Sequence, residues 1–243
     1  MLSVVYDKVA AETPGAGTVV DQTPEHMEFA PLIRAVFPEA WFLHVVRDPR
    51  AVYSSMHQAL KSWADPSGFP HTPVHVARGW NRFMQLGRQV GTTCERYHLV
   101  RYEDLMARGE EELGRIHAWL GLATSQEACR RALEACRIEK LRKHTAMPRG
   151  FFRRGTSDGW EGDVSGSVLR TIEYLARDEM ARHGYETRHP KAHKKPLRLS
   201  LYELAQTVVT APARKALLAG PRRHMRGLER TVQLMRDFKL VRY

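Results

Sequence analysis

The hydrophobic pattern is most compact at residues 41–46, Trp-Phe-Leu-His-Val-Val, an apolar run broken only by His44. Such a run is too short for a helix and predicts a strand buried on both faces. Arg47 ends it. Asp48 then precedes Pro49, and Ala51, Val52, Ser55, Met56 and Ala59 recur at helical spacing. The segment therefore predicts strand, tight turn and helix, with Asp48 as cap and Pro49 as the first helical residue. An arginine at the carboxyl end of a parallel strand, beside a helix N-terminus, is where open α/β sheets hold phosphates.

The same alternation of periods continues downstream. Val76, Trp80, Phe83, Gly87 and Val90 form a helical stripe, residues 98–102 read as a second strand, and Leu113, Ile116, His117 and Leu120 form a further helix stopped by Gly121. Thr124 with Glu127 reads as a capping box for a helix whose apolar face is Cys129, Ala132, Leu133 and Cys136. Arg170 to His183 predicts one more helix, ending at Gly184. Near the start, Thr23-Pro24-Glu25 reads as a capped helix start. Strands alternating with helices predict an α/β fold around a parallel sheet.

Composition changes this picture mainly at the C-terminal end. The 243 residues, 43% hydrophobic and 27% charged, suit one substantial core. Residues 1–187 carry 24 Lys+Arg against 24 Asp+Glu, whereas 188–243 carry 14 against 3, so the net charge of +11 lies in the last 56 residues. We therefore expect an α/β domain over 1–187 and a basic linker and amphipathic helical tail over 188–243. In the tail, Leu201, Leu204, Ala205 and Val208, then Met225, Leu228, Val232 and Met235, recur at helical spacing among arginines. Its stripe either docks on the domain or a second subunit, giving a homo-oligomer, or lies on anionic membrane through residues 196–243. Its few aromatics argue against nucleic acid. Three cysteines without CxxC spacing argue for a reducing, cytoplasmic setting, and scattered histidines argue against a metal site. Cys129 and Cys136, seven apart, are expected in the core. The N-terminus has too short an apolar stretch for a signal peptide.

The segment FLHVVRDPRAVYSS resembles the 3′-phosphate-binding segment of sulfotransferases that use 3′-phosphoadenosine 5′-phosphosulfate (PAPS), in which an arginine closes a strand and a serine eight residues later completes the phosphate site. The resemblance assigns those roles to Arg47 and Ser55. HLVRYEDL, residues 98–105, is similar to the family's tyrosine-glutamate-aspartate segment and places Tyr102 near adenine. RRGTSDGW, residues 153–160, resembles the late loop that folds over the 3′-phosphate; Arg153, Arg154 and Gly155 match, and Asp158 and Gly159 are swapped. Together these span roughly residues 18–187 and imply a P-loop-NTPase-like sulfotransferase fold, with PAPS as co-substrate and no metal.

The resemblance also implies a general base. Asp21 stands at the family's acidic position, with His26 and then Glu25 as alternatives, and Gln22 replaces the usual lysine. The expected reaction moves a sulfonate from PAPS to a hydroxyl or amine of a small-molecule, carbohydrate or lipid acceptor. One element has no match: the Gly/Ser/Thr-rich loop that follows the family's first strand and holds the 5′-phosphosulfate. Gly15-Ala16-Gly17-Thr18 precedes a strand-like pair and carries no lysine, so it reads as a turn. From this the chain is expected to start inside the domain and, as written, to be inactive. A non-catalytic adenosine-bisphosphate-binding member and a membrane-surface adaptor are the alternative readings.

Overall fold

The computed structural model describes residues 18–62, 72–137, 140, 159–197 and 199. The chain divides into two units, one comprising Met1–Thr23 with Leu197–Tyr243 and the other Pro24–Pro196. All the elements below belong to the second. In the first, residues 18–23 are exposed and without regular structure, and the Thr23 hydroxyl donates to Asp21 Oδ1 at 2.6 Å.

Pro24–Pro196 opens with a 3-10 turn at Pro24–Met27, followed by α1 (Ala30–Val36) and β1 (Phe42–Val46). Next come α2 (Pro49–Ser62), α3 (Pro73–Thr93) and β2 (Tyr97–Arg101). After them lie α4 (Tyr102–Ala107), α5 (Gly109–Trp119), α6 (Gln126–Ala135) and α7 (Gly166–Arg182). β1 and β2 pair in parallel, with Phe42 opposite Tyr97 and Val46 opposite Arg101. A parallel pair needs a long crossover, supplied here by α2 and α3. The expected parallel α/β arrangement is therefore present.

Alternation along the strands sends Phe42, His44 and Val46 to one face, together with Tyr97, Leu99 and Arg101. This face is covered by α3 and α7. Val46, Trp80, Met84, Ala176, Met180 and Tyr185 form one core cluster, with Val52, Phe83 and Leu99 against it. Phe42 and Val90 continue the core towards Met27 and Ala30, and Tyr53, Val76, Ala77 and Ile172 fill the junction of α2, α3 and α7. The other face departs from expectation. Leu43 and Val45 are 43% and 50% exposed, so β1 is not buried on both faces among the described residues. Among the described residues α5 approaches that side, where the Trp119 ring meets Trp41 edge-on at 4.9 Å and stacks on His98 at 5.1 Å.

Helix ends follow local chemistry. Asp48 accepts from the Arg50 amide at 2.8 Å, capping α2 ahead of buried Pro49. Thr72 does the same for α3, accepting from the His75 amide at 3.2 Å, with Pro73 first in the helix. Gly121 and Gly184, at φ of 70° and 73°, terminate α5 and α7 in the left-handed conformation that glycine tolerates. The α6 cap is Ser125, whose hydroxyl accepts from the Ala128 amide at 3.1 Å, instead of Thr124. Thr124 turns its hydroxyl towards Cys129 Sγ at 3.9 Å. Cys129 is buried as expected, but Cys136 is exposed, because it lies beyond the last helical residue, Ala135, as the cap after α6.

Gly87 shows how closely α3 approaches the sheet. A Cβ there would come within 2.5 Å of His44 Nδ1 and 2.7 Å of the Tyr97 hydroxyl, so only glycine fits. Beneath it, His44 Nδ1 and the Tyr97 hydroxyl are 2.7 Å apart. Burial lowers the His44 pKa from 6.5 to about 4, with His183 adding a smaller effect, and burial raises Tyr97 to about 12. Because the folded His44 takes its proton later than the unfolded one, its contribution is complete above pH 6.5 and is lost as the pH falls towards 4. The loss amounts to about 3 kcal/mol. Urea unfolding of the wild type and His44→Gln between pH 7 and pH 4.5 should give curves that converge on acidification; a constant separation would contradict a buried neutral imidazole.

Candidate functional site

The carboxyl ends of the two strands and the N-terminus of α2 meet around Arg47. Register places Val46 opposite Arg101, so the next residues in line, Arg47 and Tyr102, emerge side by side. The Arg47 guanidinium lies over the Tyr102 ring, 4.6 Å from its centroid. Its carbonyl accepts from the Trp80 indole at 2.9 Å, fixing the backbone at the strand end. Its Nε is buried and has no hydrogen-bond partner among the described residues. A buried guanidinium N–H left without an acceptor is costly, and an anion placed there would satisfy it.

Below Arg47 sits a ring of buried charge. Arg50 is 3% exposed and reaches Asp48 with Nε at 2.9 Å and Nη2 at 2.6 Å. Its Nη1 donates to Glu173 Oε1 at 2.6 Å and to the Glu186 carbonyl at 2.9 Å. The remaining capacity of Glu173, itself fully buried, goes to the amides of Arg188 and His189, both at 2.8 Å. Trp160 closes the assembly, with the Arg50 guanidinium 4.2 Å from its ring centroid. Burial alone would weaken Arg50's hold on its proton; the carboxylates of Asp48 and Glu173 outweigh this and leave its pKa raised.

Glu103 joins the two strand ends. One oxygen accepts from the Asp48 amide at 3.0 Å, immediately after Arg47, and the other accepts from the Tyr185 hydroxyl at 2.7 Å. Burial, followed by the bond to Glu103, raises the Tyr185 pKa, so this phenol acts as a donor. The Arg101 guanidinium rests on the Tyr185 ring at 4.5 Å. Tyr102 itself opens α4 instead of extending β2, because Arg101 is the last strand residue.

The sequence expectations meet this geometry unevenly. Arg47 and Tyr102 are brought together. Ser55 is exposed on α2, and no contact among the described residues links it to Arg47; its neighbour Ser54 is the buried one, donating to Asp163 Oδ2 at 3.2 Å. His26 is half-buried in the 3-10 turn, where its carbonyl accepts from the Phe29 amide. Asp21 lies in the other unit, held by Thr23. Arg153, Arg154, Gly155 and Asp158 lie outside the described residues. Sequence reasoning passed over Arg50, Glu103, Trp160 and Glu173. Arg50, Glu103 and Trp160 were within the quoted motifs, but nothing in the sequence pairs Arg50 with a glutamate 123 residues away.

A family model described as the sulfotransferase family matches residues 1–126, which include Arg47, Glu103 and both strands. The chain belongs to the sulfotransferase family. Over 137 residues it is 31% identical to omega-hydroxy-beta-dihydromenaquinone-9 sulfotransferases of Mycobacterium bovis and Mycobacterium tuberculosis, a match covering 53% of this chain and 33% of each relative. The aligned part thus spans about a third of the length of these curated relatives. A mouse sulfotransferase solved in complex with PAP superposes with a TM-score of 0.50 at 15% identity, covering 58% of each chain. At that identity the likeness is one of fold, and it agrees with the parallel α/β arrangement read from the sequence.

The buried ring sets a stability expectation for this sulfotransferase-family domain. Arg50→Met would leave Asp48 and Glu173 buried without their cation, at a cost of about 3 to 5 kcal/mol. Arg50→Lys keeps the charge but not the fork, and should cost less while remaining destabilising. Denaturant unfolding of the three proteins checks the order; an Arg50→Met variant as stable as wild type would show that the ring does not hold the site.

Proposed function

We propose that this protein transfers a sulfonate group from PAPS to a hydroxyl or amine acceptor, and that the β1–α2 turn is where it reads the nucleotide's 3′-phosphate. The observation that carries this reading is the buried Nε of Arg47, without a partner among the described residues, at the carboxyl end of a parallel strand, over Tyr102 and beside the capped start of α2. A phosphate there would accept from Arg47 and gain from the α2 dipole. Because Arg47 occupies one face of the Tyr102 ring, an adenine stacked on Tyr102 would use the other face. The basic arm Arg153, Arg154 and Gly155 is assigned to the same phosphate on its sequence resemblance, and Ser55 would complete the site by turning its exposed hydroxyl inward.

Donor binding leaves the chemical step to positioning, charge neutralisation and one proton acceptor. PAPS would supply the sulfonate and leave as the adenosine bisphosphate. Asp21 is the first candidate to take the acceptor's proton and His26 the second. The named activity of the mycobacterial relatives makes a hydroxylated lipid an acceptor class to test first.

Thermal shift and calorimetric titration test the nucleotide reading directly. Adenosine 3′,5′-bisphosphate should stabilise the protein more than adenosine 5′-monophosphate does. Arg47→Ala should weaken bisphosphate binding by about 1.5 to 3 kcal/mol, the scale of a charge-assisted hydrogen bond, and leave the monophosphate nearly unchanged. Equal responses to the two nucleotides in the wild type would remove the basis for the proposal.

A further inference from the structure

The segment that follows α7 is held with its backbone inward and its cations outward. The Arg188 and His189 amides are fixed by Glu173, each at 2.8 Å. Arg170 Nη2 donates to the carbonyls of Lys194 and Lys195, both at 3.2 Å. Between these clamps the chain folds on itself, Ala192 N to His189 O at 2.9 Å and Lys194 N to Lys191 O at 3.0 Å, and Ala192 is buried. Lys191, His193, Lys194 and Lys195 are left on the exposed side. Glu173 and Glu161, the carboxylates that contact this segment, are already committed. Glu173 is consumed inside the ring and Glu161 is paired with Arg188, so the side chains of Lys191 and Lys194 reach no carboxylate among the described residues.

We propose that this turn, residues 188–195, is a docking ledge for an anionic phospholipid surface. Lys191 and Lys194, fixed on one short turn, repel each other, and a plane of negative headgroups relieves that repulsion without demanding a particular geometry. The chemistry favours lipid over nucleic acid. The ledge contains no Phe, Tyr or Trp on which a base could stack, and its one arginine, Arg188, is already paired with Glu161, so what it presents is lysine, a point charge without a planar fork. The sequence beyond it keeps the same sign, with ten Lys+Arg against three Asp+Glu over residues 197–243 and Leu, Val and Met at helical spacing. The ledge is also tied to the nucleotide turn, since Glu173 contacts both Arg50 and the Arg188 amide. Docking it would hold the domain at a surface where a lipid-borne acceptor resides. Only this last purpose rests on the sulfotransferase reading.

The test uses the full chain with vesicles of phosphatidylcholine, with and without about a quarter phosphatidylglycerol, in co-sedimentation at moderate salt. Each lysine near an anionic surface is worth roughly a fivefold change in partitioning, so Lys191→Gln/Lys194→Gln should bind the anionic vesicles at least tenfold more weakly. These side chains are exposed, so the variant should melt like the wild type and keep its response to adenosine 3′,5′-bisphosphate. The paired readouts separate the two proposals, because vesicle binding requires no nucleotide. Wild-type protein that ignores anionic vesicles, or a double variant that binds them as well as wild type does, would overturn the ledge. So would a short RNA that binds the wild type and displaces it from vesicles at equal phosphate, which would assign the surface to nucleic acid.

Discussion

Arg50, buried between Asp48 and Glu173, is the interaction on which the rest of this domain depends. Taking three charges out of water is expensive, and the cost is offset only when each N–H and each lone pair finds a partner. Here they do. The guanidinium is shared between two carboxylates and the Glu186 carbonyl, while Glu173 also accepts two backbone amides. The result joins the first turn of α2, the middle of α7 and the chain that follows α7, segments that are distant in sequence. A core of similar volume made only of leucine and methionine could match its stability, but would not fix the direction of the β1–α2 turn. We read the ring as a device for specificity, which leaves Arg47 aimed at the open end of the sheet.

Glu103 and Trp80 extend that constraint to the backbone. The carboxylate holds the Asp48 amide and the indole holds the Arg47 carbonyl, so the peptide carrying Arg47 is gripped on both sides. Arg47 is thereby held with its Nε buried and without a partner among the described residues, an arrangement that a flexible surface arginine would relax by turning to water. The acceptor proposed for it is the 3′-phosphate of the nucleotide.

Local chemistry was legible in the sequence where one residue type has one physical use. Asp48 before Pro49, the glycines at 121 and 184 and the apolar run at 42–46 each became the element expected of them. Choices between adjacent polar residues were not legible. Ser125 took the cap that Thr124 with Glu127 suggested, because helix entry is set by the packing of Cys129 and Thr124 as well as by cap chemistry. Burial of β1 was overestimated, since hydrophobicity reports what a strand can bury, and exposed Leu43 and Val45 show how much is covered among the described residues. The candidate site was half legible. Arg47 and Tyr102 came from their motifs, whereas the ring beneath them depends on the pairing of Arg50 with Glu173, which composition and periodicity do not encode. The bases proposed from resemblance, Asp21 and His26, gain no added support from geometry.

The central claim is that a buried ring of charge presents the Arg47 Nε–H to a 3′-phosphate. Arginine-selective NMR reads that proton directly. On titration with adenosine 3′,5′-bisphosphate, the Arg47 Nε–H signal should move downfield and gain protection from exchange, while adenosine 5′-monophosphate leaves it in place and the already satisfied Arg50 signal hardly changes. An Arg47 signal that is indifferent to the bisphosphate, or that responds equally to both nucleotides, would contradict the account.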